Sequence, residues 1–94
     1  MIIKSINFEQ SGSNYVAYIQ PTKDFSIHLA SNTAGIFTIM RSIAPNVNED
    51  NEGYYSIFSN TTVSKVLDTA VTNWLPGTFC KVISTVPLTS SYYG

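Results

Sequence analysis

Alternation of apolar and polar side chains dominates this 94-residue chain and predicts an all-β fold, a small single-domain antiparallel β-sandwich or barrel over residues 1–94. The clearest alternation is Phe25, Ile27 and Leu29 against Ser26 and His28. Turn-forming residues recur at regular intervals between short apolar runs, the pattern of a sandwich or barrel. The length suits one domain, which at this size buries roughly 60–65% of the surface its unfolded chain exposes.

The elements follow in order. Ile2, Ile6 and Phe8 share a parity that Lys4 interrupts, which predicts an edge strand. Tyr15 to Ile19 is apolar on both parities, so that strand is covered on both sides by its own fold or by a neighbouring subunit. Pro21-Thr22-Lys23-Asp24 is a turn whose φ the proline presets. Residues 25–30 and 36–43 then pair as a hairpin through a turn at Ser31-Asn32-Thr33-Ala34-Gly35. In the second of these segments Ile36, Ile39, Met40 and Ile43 also fit helical spacing, but β-branched content and the flanking Gly35 favour strand.

Residues 44–53 form the longest polar stretch and read as an exposed loop. Tyr54 to Ser59 is the next strand, and Thr62 to Leu67 the one after, with a short helix over 64–71 as its competitor. Pro76-Gly77 predicts a type II turn. Thr78 to Val86 is the last strand, and residues 88–94 are a tail.

Composition bounds the function. Charged residues are 12% of the chain, about half the usual share. Ser, Thr and Asn fill 30 positions instead. Such a surface sheds water cheaply on meeting another protein, because charged groups are what interface cores avoid. Lys4, Lys23, Arg41, Lys65 and Lys81 are scattered singly, and the net charge is −1. Nucleic-acid binding needs a clustered basic face, so none is expected. No stretch approaches the roughly 20 apolar residues of a membrane helix. Met1 to Phe8 has no signal-peptide pattern, and Asn60-Thr61-Thr62 is a formal glycosylation sequon of little weight without one. Cys80 is alone, which excludes an intrachain disulfide and suits synthesis in a reducing cytoplasm.

A catalytic set is not evident. His28 is the one histidine and falls on the polar parity of its strand, which reads as a surface position. Cys80 lies between Phe79 and Lys81 with nothing to lower its pKa, which reads as a buried structural thiol. Structural zinc needs about four Cys or His ligands and the chain holds two. Asn46, Asn48, Asp50 and Glu52 alternate through the long loop but lack the glycine and closing glutamate of a calcium loop. Glu9, Asp24 and Asp68 are too isolated for glycoside hydrolysis. The reading is therefore not an enzyme, with no metal and no cofactor. Tyr15, Tyr18, Trp74, Tyr92 and Tyr93 are the candidate interface anchors, since Trp and Tyr dominate hot spots. The same aromatic residues admit a carbohydrate- or receptor-binding module of a tail or spike as the alternative.

Trp74 to Ser90 resembles the C-terminal part of small bacteriophage head proteins, of the capsid decoration (cement) and head-spike base types. Gly77, Thr78 and Phe79 match the start of the motif, Val82 and Val86 its valine-rich strand, and Thr89 to Ser91 its Thr/Ser-rich end. Cys80-Lys81 stands where that group has an apolar residue and a proline, the strand is about one residue shorter, and the closing Gly-Thr-Thr is missing. The resemblance covers 17 of 94 residues. It implies a β-sandwich bound to the outer head surface, partnered by the major capsid protein or another virion protein. It also implies a homo-oligomer, often a trimer, located in the virion after synthesis in the host cytoplasm.

Overall fold

A computed structural model describes residues 2–42, 55–59 and 63–94, the segment 55–59 by its backbone alone. The chain is all-β, as its alternation predicts. Nine strands run in the order β1 (Lys4–Ser5), β2 (Glu9–Ser11), β3 (Asn14–Ile19), β4 (Phe25–Gly35), β5 (Phe37–Ser42), β6 (Tyr55–Ser59), β7 (Ser64–Val71), β8 (Phe79–Ser84) and β9 (Ser90–Tyr93). They form two antiparallel sheets, one ordered β1-β9-β4-β7 and the other β2-β3-β8-β5-β6. Ile27, Leu29 and Leu67 of the four-stranded sheet pack against Ala17, Phe37, Ile39, Cys80 and Val82 of the five-stranded one. This is a β-sandwich.

The expected hairpin between residues 25–30 and 36–43 does not form. β4 runs unbroken to Gly35 and pairs with β7 and β9, while β5 pairs with β6 and β8 in the other sheet. Ser31 to Ala34 is a bulge, between the pairs Ala30–Val66 and Gly35–Ser64. The Ser31 hydroxyl accepts from the Thr33 amide at 3.0 Å and donates back to the Thr33 carbonyl. Residues that favour turns favour bulges for the same reason, because their side chains replace lost ladder bonds. The bend carries the chain from one sheet to the other at Gly35. A Cβ there would stand 2.5 Å from Val86 Cγ2, so any side chain at the crossing would have to displace Val86.

Other expectations hold. Thr78 N–H donates to the Leu75 carbonyl at 3.2 Å and Gly77 has φ +84°, the Pro-Gly turn read from sequence. Residues 64–71 and 37–42 are strands, not helices. β3 is covered fully on one face and in part on the other: Ala17 lies in the core and Val16, on the opposite parity, is also buried, but Tyr18 on that second face is exposed. The predicted N-terminal strand divides into β1 and β2, which edge opposite sheets. The tail is β9, an interior strand paired to β1 and β4. The loop at 44–53, with Asn46, Asn48, Asp50 and Glu52, lies outside the described residues, as does the Asn60 sequon.

Candidate functional site

The four-stranded sheet presents its outer face through alternate residues of each strand. The registers Ser26–Ala70, His28–Asp68, Ala30–Val66, His28–Tyr92 and Ser5–Tyr92 place these side chains on one surface, opposite the core set Phe25, Ile27 and Leu29. Most are small and uncharged. Val66 and Tyr92 are exposed on this face, and Ile3 borders the same groove, of about 360 Å³, as His28 and Tyr92.

His28 is the hub of the face. Its Nδ1 lies 2.5 Å from Asp68 Oδ1 and its Nε2 lies 3.3 Å from Ser90 Oγ. The Tyr92 ring stacks beside it, with centroids 6.3 Å apart and an interplanar angle of 26°. Asp68, His28 and Ser90 thus stand in the order of an acyl-transfer relay, on the three neighbouring strands β7, β4 and β9. Chemistry of that kind needs exclusion of water and donors aimed at a developing oxyanion. Here the Asp68 side chain is 67% and the His28 side chain 39% exposed, so the pair is solvated. The 3.3 Å separation is long for a hydroxyl donor. The arrangement fixes the orientation of the imidazole on the sheet; it does not supply an activated nucleophile.

The five predicted anchors do not form one patch. Tyr92 lies on the face just described, whereas Tyr18 is exposed on the opposite side of the sandwich, with the Lys81 ammonium 5.8 Å from its ring centroid. Tyr15 is half-buried and pairs with the buried Ser84. Tyr93 packs on the core edge-to-face with Phe25, at 6.2 Å. Trp74 corrects the sequence reading most sharply. It is 5% exposed, meets Phe25 edge-to-face at 5.2 Å, and donates its indole N–H to the Pro21 carbonyl at 2.9 Å. Its place in a turn suggested a surface ring, but the turn folds back over the end of the sandwich. A side chain so enclosed anchors the core, not a partner.

Sequence reasoning missed the part of Asp68, Val66 and Ser90 in this surface. His28 and Asp68 are 40 residues apart, and His28 and Ser90 are 62 apart, so only strand register joins them. The period-two parity of Ser90 and Tyr92 was the one available signal, and it was obscured by reading that segment as a tail.

Cys80 is fully buried, and desolvation pushes its thiol up from 9.0 to about 12, so it is inert at neutral pH. Among the described residues no group of three His, Cys, Asp or Glu side chains could hold a metal ion, and no helix is long and apolar enough to cross a membrane. Compared with protein-family models, curated proteins and solved structures, the chain finds no match.

Proposed function

We propose that this chain is a structural component of a virion, a capsid decoration protein that binds the outer head surface and stabilises it. The observation that carries the reading is the outer face of the four-stranded sheet. It is made mainly of small uncharged side chains, with Asp68 the one acid among its described residues and Tyr92 and Val66 exposed apolar groups. Desolvating a face with so few charged groups costs little, which supports contact with a partner protein.

Four strands about 4.8 Å apart and about six residues long present a projected area of roughly 400 Å². That is about half of what one partner contributes to a standard stable interface, roughly 800 Å². A single contact of this size is weak. Many copies, or a trimer that adds its contacts together, hold a shell by avidity. The Trp74–Ser90 resemblance to phage head proteins points to the same kind of partner.

The test is co-sedimentation of the purified chain with isolated phage heads, alongside its mass in solution. Tyr92→Ala and Val66→Lys alter exposed positions, so both variants should keep the wild-type fold and lose most of the bound fraction. Binding undiminished in both variants would remove this face from the proposal. A wild-type chain that stays monomeric and fails to sediment with heads would remove the decoration role itself. The exposed Tyr92 ring beside His28, Asp68 and Ser90 also has the makings of a small sugar platform. Specific glycan binding by the purified domain would favour that second reading.

A further inference from the structure

Of the edge strands described, β7 is the longest, eight residues against two in β1, three in β2 and five in β6. Native sheets guard long edges with bulges, charges or proline, because an open ladder pairs with another chain that meets it. Here the guard covers only the start of the strand. Ser26 exchanges backbone bonds with Gly94, and the Ala30 carbonyl accepts from the Thr89 N–H, so the even-numbered residues of β4 direct their backbone groups to the β9 side. Their partners Val66, Asp68 and Ala70 therefore direct theirs away from β4, over the open edge. The Ser64 hydroxyl holds both groups of Val66, accepting from its N–H at 3.2 Å and donating to its carbonyl at 2.6 Å. Among the described residues the Asp68 N–H and C=O and the Ala70 N–H meet no partner, and the Ala70 carbonyl meets only the Thr69 hydroxyl, at 3.4 Å. Two successive outward residues are left ready to pair.

A second copy of the same edge satisfies them. An antiparallel pairing of identical strands keeps core-facing parity only if its two-fold axis passes through a residue. With the axis at Leu67, Asp68 falls opposite Val66, whose groups Ser64 already holds. With the axis at Asp68 the two carboxylates stand opposite each other, which destabilises the pair. With the axis at Ala70, Asp68 falls opposite Thr72, beyond the end of the strand. The axis at Thr69 sets each Asp68 opposite an Ala70, so that the two residues exchange their open backbone groups. On the outer face each carboxylate then lies beside a methyl group. On the inner face Thr69 meets its own copy, and Leu67 meets Val71, both already members of the core.

We infer that the β7 edge pairs with the β7 edge of a second copy of this chain, about a two-fold axis at Thr69. Two four-stranded sheets then join edge to edge. The contact is isologous and closes on itself, so it gives a dimer and not a filament. It is short beside a standard interface, so the dimer forms reversibly and with concentration. The pairing does not rest on the decoration reading. It also sets two outer faces side by side, which brings their joint area to roughly 800 Å², the share one partner contributes to a standard interface.

Sedimentation velocity of the purified chain, from micromolar to millimolar concentration, should show a monomer–dimer equilibrium. Ala70→Pro removes an N–H that points out of the edge and sets a ring across it, a place where a single sheet tolerates proline. The variant should keep the wild-type circular dichroism spectrum and raise the dissociation constant at least about tenfold. Thr69→Cys puts a thiol on the axis, in a non-hydrogen-bonded pair whose Cα atoms lie about 4.5 Å apart, within reach of a disulfide. Under mild oxidation it should form a covalent dimer, and the buried Cys80 does not compete. Lys65→Cys, opposite Asn73 in this register, should stay monomeric under the same oxidation. Tyr92→Ala should dimerise as the wild type does, which separates this edge from the outer face. Four results would each overturn the inference: a monomer at millimolar concentration, trimers or larger species, undiminished pairing by Ala70→Pro, or crosslinking of Lys65→Cys as fast as that of Thr69→Cys. A monomer that still sediments with phage heads would overturn the pairing and leave the decoration reading standing.

Discussion

Replacing Trp74 by alanine should cost this domain a large part of its stability. A buried tryptophan withdraws about 150–250 Å² from water. At about 25 cal/mol per Å² of apolar surface, that burial is worth about 4–6 kcal/mol. Part is retained by the alanine and by relaxation of Phe25, so the expected loss is about 3–5 kcal/mol, the range measured for large aromatic truncations. A domain of this length has about 5–14 kcal/mol in total. Loss on that scale lowers Tm by roughly 15–30 °C.

Trp74→Phe separates packing from hydrogen bonding. The phenyl ring keeps the edge contact with Phe25, but the Pro21 carbonyl loses the donor that now sits 2.9 Å away. An unsatisfied buried acceptor costs about 1–3 kcal/mol. Urea unfolding followed by far-ultraviolet circular dichroism is the right assay, because the variant removes the only tryptophan and with it the fluorescence signal. A Trp74→Ala protein within 1 kcal/mol of wild type, at unchanged denaturant dependence, would refute the core assignment. It would also return Trp74 to the list of possible surface anchors.

Gly35→Ala should destabilise by about 1–3 kcal/mol, since the new methyl meets the stiff, branched Val86 side chain at 2.5 and 2.9 Å. Val86→Ala in the same chain should recover part of that loss, and strict additivity in the double-mutant cycle would sink the steric explanation. Cys80 should resist a thiol reagent at pH 8 in the native protein and react once urea unfolds it; rapid native labelling would contradict its burial. The folded-state thiol holds its proton to about pH 12, whereas the unfolded thiol loses it near 9. The folded state therefore binds more protons between those values, and stability falls as pH rises from 9 to 12, with no contribution below 9. Cys80→Ala should flatten that decline when compared with wild type. Asp68→Asn removes the charge of a pair with 67% and 39% exposed side chains, and should change unfolding stability by less than about 1 kcal/mol.

Local alternation made most strands legible. Phe25–Ile27–Leu29 reports which residues face the core because strand parity alone decides it, and the Pro76-Gly77 turn is a property of two adjacent residues. Pairing partners were not legible. Ser31 to Gly35 has the composition of a hairpin turn, and only the long-range pairings of β4 with β7 and β9 and of β5 with β6 and β8 show that the chain changes sheets there. The tail was misread because its four residues of strand are stabilised by neighbours 60 or more positions away. The candidate face depends on those same long-range registers. His28 could be assigned to the polar parity from sequence, but not its bonds to Asp68 and Ser90.

The abundance of Ser and Thr also needs dividing before it supports an argument about surfaces. Ser31, Ser64 and Ser84 each bond both backbone groups of the residue two positions on, Thr33, Val66 and Val86. Ser31, Ser42, Thr78 and Ser84 are buried. The hydroxyls of Ser31, Ser64 and Ser84 replace ladder bonds where strands bend or end, a role that charged side chains cannot fill at a buried position without a large desolvation cost. Low charge at such positions follows from the sandwich and would be present in a protein with no partner at all. The outer face of the four-stranded sheet is different, because Ser26 and Ala70 are exposed on it, where a Lys or Glu would be tolerated. Their smallness is not required by packing within the chain, and it is this residue choice that argues for a surface shaped to lie against another protein.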